Sequence, residues 1–542
     1  MFTVVFDPDR RPTGLDESLG GVRIAGSIRL DARDDLRAAL GVADKSIGDA
    51  MLCLHAWRHW GDDFVERLAG DFAFVLWDDS RRRLLLVRDQ LGIRSLFYAR
   101  IDAAWVASDS LDGLAARPAL DKGLDKRLDE TWIGDFLATG HSLDPWRTIY
   151  AAVKRLPPGH CAALTRDGET VRRYWQLSVD EPLFLRDGRA YGERLRELTK
   201  TAIRDRTPAG RLGVSMSGGL DSTTLAALSV EVLGGAAYVT ARCTHFETLM
   251  ADDEPHFAGL AAKSIGIALG FDKADAAYDP QWRERGIRTA EPTPTIVNAH
   301  REQALARSMA AEASVWLYGE GPDNALAFER DAYVRWLMRT GRWVRAASAV
   351  GRYVGLKLGE RGTRRQPSPM PPPASSDLPA WLRPEFVERI GLRERFRAFD
   401  SPPPHDHPWH PRALGSFGTP VWQSLLGSLE ADRAHGLDWR HPYLDLRVLQ
   451  FLLSVPPVPW ARRKLVLREA MRGRLPVEVL ERRKTPLAAN ALHRALSGVE
   501  LPPLAASAAL APWLDPGRLP RRPHAADLEP LVAVHALDHW LT

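Results

Sequence analysis

The run Ser215-Met216-Ser217-Gly218-Gly219-Leu220-Asp221-Ser222 gathers the groups that a polyphosphate requires. Ser217 and Ser222 supply hydroxyls, with Ser215 behind them, and Gly218 and Gly219 let the backbone come close to a ligand. The apolar run before it (Leu212–Met216) predicts a strand, and Leu225, Ala226, Leu228, Val230 and Val232 predict a helix starting at Asp221. A helix start offers unpaired N–H groups and a positive dipole end to an anion. Asp221 adds a carboxylate through which Mg²⁺ could bridge phosphate oxygens. Ser, Gly and Asp also make ordinary helix caps. The complete Ser-Gly-Gly-x-Asp-Ser string, however, is expected by chance in about one chain per thousand of this length. No G-x-x-x-x-G-K-[ST] string occurs, so the lysine of γ-phosphate chemistry is missing from this loop.

A second chemical element follows the predicted strand Val315–Tyr318: Gly319-Glu320-Gly321-Pro322-Asp323-Asn324. Gly319 gives a nucleotide access to the end of a strand. Asp323 offers another oxygen ligand for Mg²⁺ beside Asp221, and Glu320 lies between two glycines. An isolated Gly-x-Gly is more often an acidic turn; its place after a strand of the same sheet favours a site. Other constellations fail. Gly213-Val214-Ser215-Met216-Ser217 lacks the last glycine of a serine-hydrolase elbow. His55 and His59 have helical spacing but no third ligand. His405, His407 and His410 fall in a Pro-rich loop, where metal binding would be adventitious.

The elements needed to hold these residues divide the chain in two. Over residues 1–180, short β-branched and aromatic runs (72–77, 84–88, 95–98, 104–108, 160–164 and 171–175) and two helical patterns (35–40 and 47–60) predict layered antiparallel sheet with helices. Over 181–542, strand and helix alternate: strand 212–217, helix 221–232, strand 237–243, helix 254–265, strand 315–318. That order predicts a parallel sheet covered on both faces. The fold class is therefore α+β followed by α/β. The remainder reads as helical, except for a Pro-, Arg- and Ser-rich segment at about 359–411, expected as a partly mobile insertion and a candidate lid.

Composition narrows the partners. Among 542 residues, 73 Lys and Arg against 69 Asp and Glu leave +4, far from the dense basic stripe of a dedicated nucleic-acid binder. Three cysteines (Cys53, Cys161 and Cys243) are too few and too scattered for a disulfide framework or a C-x-x-C motif, which fits a reducing cytoplasm. No secretory signal and no long uninterrupted apolar run is visible, so a membrane span is not expected.

The chain resembles the asparagine synthetase B-type family. The motifs carrying the likeness are Gly70-Asp71-Phe72-Ala73-Phe74, Arg88-Asp89-Gln90-Leu91-Gly92-Ile93, Pro157-Pro158-Gly159-His160, the Ser217 loop and Gly319–Asp323. Further on come His441-Pro442-Tyr443-Leu444-Asp445, Lys464-Leu465-Val466-Leu467-Arg468-Glu469, and Leu475-Pro476 followed by Arg482-Arg483-Lys484-Thr485. The resemblance implies a class II glutamine amidotransferase-like αββα domain (1–180). It also implies an ATP-pyrophosphatase-type amide synthetase domain (181–542), like the adenine nucleotide α-hydrolases, with ATP and Mg²⁺ as cofactors. Ser215, Ser217, Gly218, Gly219, Asp221, Ser222, Gly319 and Lys464 would then bind nucleotide, and Asp221 and Asp323 would hold the metal. Lys484 takes the place of the family's catalytic lysine. Glu320 is the candidate for orienting or deprotonating the amine, and Glu430 a candidate for completing a dyad with it.

Two departures redirect the expected chemistry. Family members that hydrolyse glutamine expose a cysteine after Met removal, whereas position 2 is Phe2. The glutamine-holding Asn-Gly-Glu-Ile-Tyr-Asn string is replaced by Ala25-Gly26-Ser27-Ile28-Arg29-Leu30. The first domain is thus expected to be a catalytically silent scaffold, and the amine to come from the substrate or from free ammonia. In this the chain resembles lasso peptide macrolactam synthetases and β-lactam synthetases, more closely the former. That likeness implies a peptide or small-molecule substrate carrying both carboxylate and amine, served by a leader-peptide-binding protein and a leader peptidase. Asparagine synthesis from ammonia, β-lactam formation and a non-catalytic nucleotide-binding pseudoenzyme stand as alternatives.

Overall fold

A computed structural model describes residues 2–6, 12–115, 127–278, 282–359, 377–402, 404–483 and 490–542. In the first half, the period of two along Gly70–Asp78 decides the layering. Phe72, Phe74 and Leu76 point to one side and Ala73, Val75 and Trp77 to the other, and both sets are buried. Such a strand must lie between two apolar layers. The strands are β1 (Thr3–Phe6), β2 (Glu17–Leu19), β3 (Val22–Leu30), β4 (Gly70–Asp78), β5 (Arg83–Arg88), β6 (Phe97–Ile101), β7 (Ala104–Ser108), β8 (Val153–Arg155), β9 (His160–Leu164) and β10 (Glu169–Arg173). They form two antiparallel sheets, ordered β10-β9-β5-β4-β3-β2 and β1-β7-β6-β8. Helices α1 (Arg33–Leu40) and α2 (Asp49–Trp60) lie on the side of the six-stranded sheet, where Leu52, Cys53 and Leu54 meet Phe72 and Phe74.

The nine-residue β3 escapes sequence reading because Gly26, Ser27 and Arg29 interrupt its apolar pattern. Its pairing with β4 explains Gly26: a Cβ there would lie 2.3 Å from the Phe74 Cβ.

In the second half, β11 (Leu212–Ser215), β12 (Val239–His245), β13 (Ala268–Lys273), β14 (Val315–Leu317) and β15 (Asp438–Arg440) form one sheet in the order β13-β12-β11-β14-β15, parallel throughout. Val315 and Leu317 face one core and Trp316 another, so this sheet is covered on both faces as expected. The helices that concern the site are α3 (Arg189–Arg206), α4 (Leu220–Leu233), α5 (Glu254–Ile265), α6 (Ala299–Glu312), α7 (Pro322–Ala325), α8 (Trp343–Gly359), α9 (Pro420–Ala431), α10 (Leu446–Ser454) and α11 (Leu465–Met471).

Two features differ from the sequence reading. The described part of the Pro-rich segment has a packed side: Trp381, Phe386, Leu392 and Trp409 are buried, because they fill a core with Trp132 and Phe136 from the first half and Leu531 from the last helix, or, for Trp409, the main core of the second half. Residues 360–376 and 403 of that segment lie outside the described residues. Second, the boundary near 180 separates topologies rather than cores, since Trp132 and Phe136 on the helix Glu130–Thr139 share one core with Leu528, Leu531 and Val532. Among the described residues, no helix is long and apolar enough to cross a membrane.

Candidate active site

The chain leaves β11 at Ser215 and reaches α4 through Met216, whose N–H donates to the Arg242 carbonyl (2.8 Å). Across the turn the Ser222 hydroxyl donates to the Ser217 carbonyl (3.0 Å), and its oxygen lies 3.2 Å from the Ser217 Oγ. The Gly219 N–H points to the same Ser217 Oγ at 3.4 Å, and Thr223 Oγ1 donates to the Gly219 carbonyl at 2.8 Å. The two glycines have different reasons. A Cβ on Gly218 would lie 2.6 Å from both the Glu254 carbonyl oxygen and the Phe257 Cβ, so Gly218 lets the turn press on the first turn of α5. Around Gly219 a Cβ would meet only Ser217 closely, at 3.1 Å, which leaves that side of the turn open.

The second loop is seated directly on the first. A Cβ at Gly319 would stand 3.4 Å from the Ser222 nitrogen and 3.5 Å from the Asp221 Cβ, so the loops after β14 and β11 touch. Gly321 takes φ +125°, open to glycine alone at little cost, and fits against Tyr443 and Leu444. The Tyr443 hydroxyl then donates to the Asp221 carbonyl at 3.0 Å. Tyr443 belongs to the His441–Asp445 motif, but its part as a prop for both loops was not foreseen.

Lys464 joins the two acidic residues. It and Arg463 hold left-handed φ values of 52° and 50°, in the turn before α11. From there its ammonium pairs with Asp221 and, at 2.7 Å, with Asp323. Burial alone would lower its pKa, but the two carboxylates overcome this and raise it, so it stays charged. Glu320 titrates above the ordinary carboxylate range, because it is half-buried and faces Asp323 and Asp221. Two carboxylates converging on one cation match the oxygen donor set of Mg²⁺. Among the described residues the tightest three-carboxylate group is elsewhere, Asp31, Asp205 and Asp445. The guanidiniums of Arg206 and Arg447 already fill it.

Ser215, Ser217, Gly218, Gly219, Asp221, Ser222, Gly319, Glu320, Asp323 and Lys464 thus lie together at the carboxyl ends of β11 and β14. Glu430 does not join them. On α9 it sits 3.9 Å from Arg433 and in the field of Arg88 and Arg94, facing the first domain. Lys484 lies outside the described residues. The chain leading to it is anchored close by: Arg482 pairs with Asp253 (2.6 Å) and stacks on Phe257, the residue against Gly218. A cavity of about 300 Å³ is lined by Tyr278, Trp282, Arg285, Ile287, Ile296 and His300; Arg301 of the same lining donates to the Lys273 carbonyl at the end of β13 (3.2 Å).

Residues 30–175 match the family described as Glutamine amidotransferase domain, and residues 194–529 the one described as Asparagine synthase. The chain belongs to the asparagine synthase family. It is 28% identical over 200 residues to "Asparagine synthetase [glutamine-hydrolyzing] 3" of Bacillus subtilis (37% of this chain, 31% of that protein). It is 25% identical over 301 residues to "Amidase chyE" of Penicillium rubens (52% and 43%). Over 205 residues it is 29% identical to "Putative asparagine synthetase [glutamine-hydrolyzing]" of Mycobacterium tuberculosis (37% and 31%). The matched stretches thus span from under a third to under a half of the length of these relatives.

Proposed function

We propose that this member of the asparagine synthase family is an ATP-dependent, AMP-forming carbon–nitrogen ligase. Its substrate is a ribosomal peptide carrying both reacting groups, closed into a lasso-type macrolactam. The observation that carries the ligase reading is the contact of the Ser217–Ser222 turn with the Gly319–Asp323 loop, with Lys464 spanning Asp221 and Asp323.

In this reading a side-chain carboxylate oxygen bonds to the α-phosphorus of ATP. The α–β P–O bond breaks and pyrophosphate leaves along the open Gly219 side of the turn. The amine then attacks the acyl carbon, the C–O bond to AMP breaks, and the ammonium proton passes to Glu320. Asp221 and Asp323 are the carboxylates that would hold Mg²⁺, which when bound neutralises charge on the departing diphosphate. Lys464 keeps these two carboxylates convergent. Lys484 is proposed to stabilise the oxyanion of the tetrahedral intermediate. A raised pKa suits Glu320 as a proton acceptor near neutral pH. The demand on it is modest for a peptide α-amine, about one-tenth of which is neutral at pH 7.

Two observations favour a substrate-borne amine over glutamine. All three cysteines are buried, with burial raising their thiols, that of Cys243 to about 12, so none is poised as a thiolate nucleophile. The cavity near the end of β13, a strand of the same sheet as β11, offers room for part of a substrate larger than aspartate. A leader-peptide-binding protein and a leader peptidase would act before ring closure, all in the cytoplasm.

The test is incubation with ATP, Mg²⁺ and the neighbouring encoded core peptide. Loss of one water by mass, with release of AMP and pyrophosphate, is expected. Asparagine formed from aspartate and ammonium, with the peptide unchanged, would replace this substrate. Absence of carboxylate-dependent ATP–pyrophosphate exchange with every candidate would leave the nucleotide-binding pseudoenzyme.

A further inference from the structure

Helix α8 is apolar on its packed side and on the side opposite. With 3.6 residues per turn, Ala346, Ala349, Tyr353 and Leu356 fall on one side. That is the side packed on the protein, with Ala346 and Ala349 buried. The opposite pole carries Trp343, Val344, Ala347, Ser348, Val354 and Leu358, with two glycines between them and without one charged residue. Val344 is 85% exposed, Trp343 64% and Leu358 51%, and with Val350 and Val354 they make up five of the ten large apolar side chains exposed among the described residues. A solvated helix places its polar residues at that pole.

Charge is confined to the margins. Arg345, whose guanidinium lies over the Phe184 ring, and Arg352 flank one side of the apolar pole and Lys357 the other; the preceding helix, Arg330–Arg339, adds the exposed Arg335 and Arg339. Between Asp331 and Glu360 there are six basic residues and no acidic one. The face is a single exposed helix rather than a groove. A Cβ built at Gly351 or Gly355 would meet nothing within 4 Å.

We propose that α8 docks the protein on an anionic lipid surface, lying in the interface plane. Three features favour a membrane over a partner helix. The apolar pole is bordered by basic residues on both sides, as an interfacial helix requires to meet acidic headgroups. Trp343 stands at one end, where an amphipathic ring suits the headgroup level. The helix, 17 residues or about 25 Å long, lies flat on the surface and is not a span. The complementary chemistry is therefore a negatively charged, apolar, extended surface. Its consequence is a peptide ligase held at the membrane face.

The experiment is co-sedimentation of the full chain with vesicles of phosphatidylcholine alone or mixed with phosphatidylglycerol. Binding to the mixed vesicles, weakened by salt and absent with phosphatidylcholine alone, is expected. Val344→Glu with Leu358→Glu should reduce partitioning by about tenfold or more, and Arg352→Glu with Lys357→Glu should do so while leaving the apolar pole intact. Because these residues face solvent, thermal melting and ATP–pyrophosphate exchange should stay at wild-type levels, which separates lost docking from lost folding. No binding to the mixed vesicles, or binding indifferent to Val344→Glu/Leu358→Glu, overturns the proposal. So does light scattering that shows a dimer converted to monomer by the same pair, which would assign the face to a second copy.

Discussion

Lys464 occupies a backbone conformation that costs energy for any residue with a Cβ, and it does so next to Arg463 in the same region. The compensation is electrostatic, since the ammonium reaches Asp221 and Asp323 at once. Lys464→Met would leave the half-buried Asp221 and the exposed Asp323 carboxylates without their shared cation, so ATP–pyrophosphate exchange should fall by about 10²-fold or more, as when a catalytic charge is deleted. Lys464→Arg should not restore it, because a planar fork does not substitute for a point charge between two carboxylates. Full exchange in either variant would remove Lys464 from the site. Glu320 makes a separate claim. If it takes the proton of the amine, Glu320→Gln should slow amide formation by about 10²–10⁴-fold yet leave adenylation, read as pyrophosphate exchange, within about threefold. The sign of its shift fixes the pH dependence. A carboxyl with a raised pKa is protonated at higher pH than usual, so the wild-type rate of amide formation should decline as pH falls through that raised value, and the decline should vanish in Glu320→Gln. A decline that persists in the variant would assign the titration to another group.

At the scale of elements, the strand-turn-helix of the phosphate loop and the strand-turn of the Glu320 loop could be read from sequence because each pairs a short apolar run with residues of special backbone freedom. Contact between them could not, since it depends on β11 and β14 being neighbours, a matter of sheet order over about a hundred residues. Lys464 likewise read only as a nucleotide contact; its ion pairs depend on a turn more than 240 residues from Asp221. Glu430 shows the reverse error: it comes ahead of a functional motif, but α9 directs it to the arginines of the first domain. The β3 strand was hidden by Gly26, whose role belongs to the Phe74 strand opposite. The two glycines of the phosphate turn are alike in sequence and unlike in structure, which leads to a contrast. Gly218→Ala must displace the Glu254 carbonyl or the Phe257 side chain, so it should destabilise the protein by about 1–3 kcal/mol and move the loop against α5. Gly219→Ala meets mainly a rotatable serine hydroxyl and should melt close to wild type, while raising the KM for ATP by crowding the open side. Equal melting of the two variants would contradict this assignment.

At the scale of the whole molecule, the first domain is tied to the site by a buried ion cluster. Arg206, at the end of α3, donates to Asp31 at 2.7 and 2.9 Å and to Asp445 at 2.8 Å, while Arg29 pairs with Asp31 and Asp71 at 2.7 and 2.8 Å. Asp445 caps α10 through the Arg447 N–H (3.0 Å) and directly follows Tyr443 and Leu444, which support Gly321 and Asp221. A chain of contacts therefore runs from a domain with no available thiol to the phosphate turn. Burial alone would raise the Asp445 pKa, but the hydrogen bond from Arg447 and the charge of Arg206 hold it down at about 2, and Asp71 is lowered by Arg29 and Arg206 against the same burial. A carboxylate depressed by folding contributes stability above its unfolded pKa near 4 and loses it as pH falls from there toward the folded value. Melting temperature should accordingly drop between about pH 4 and pH 2 by more than the exposed carboxylates explain. Arg206→Met would leave Asp31 and Asp445 buried with fewer partners and should cost about 3–5 kcal/mol at neutral pH. Part of the extra acid sensitivity should disappear with it, because Arg206 is one of the charges that hold the Asp445 and Asp71 carboxyls down. If the domains are coupled as these contacts indicate, Arg206→Met at a temperature where it remains folded should also raise the KM for ATP. An unchanged KM would confine the cluster to holding the fold together, with no part in setting the site.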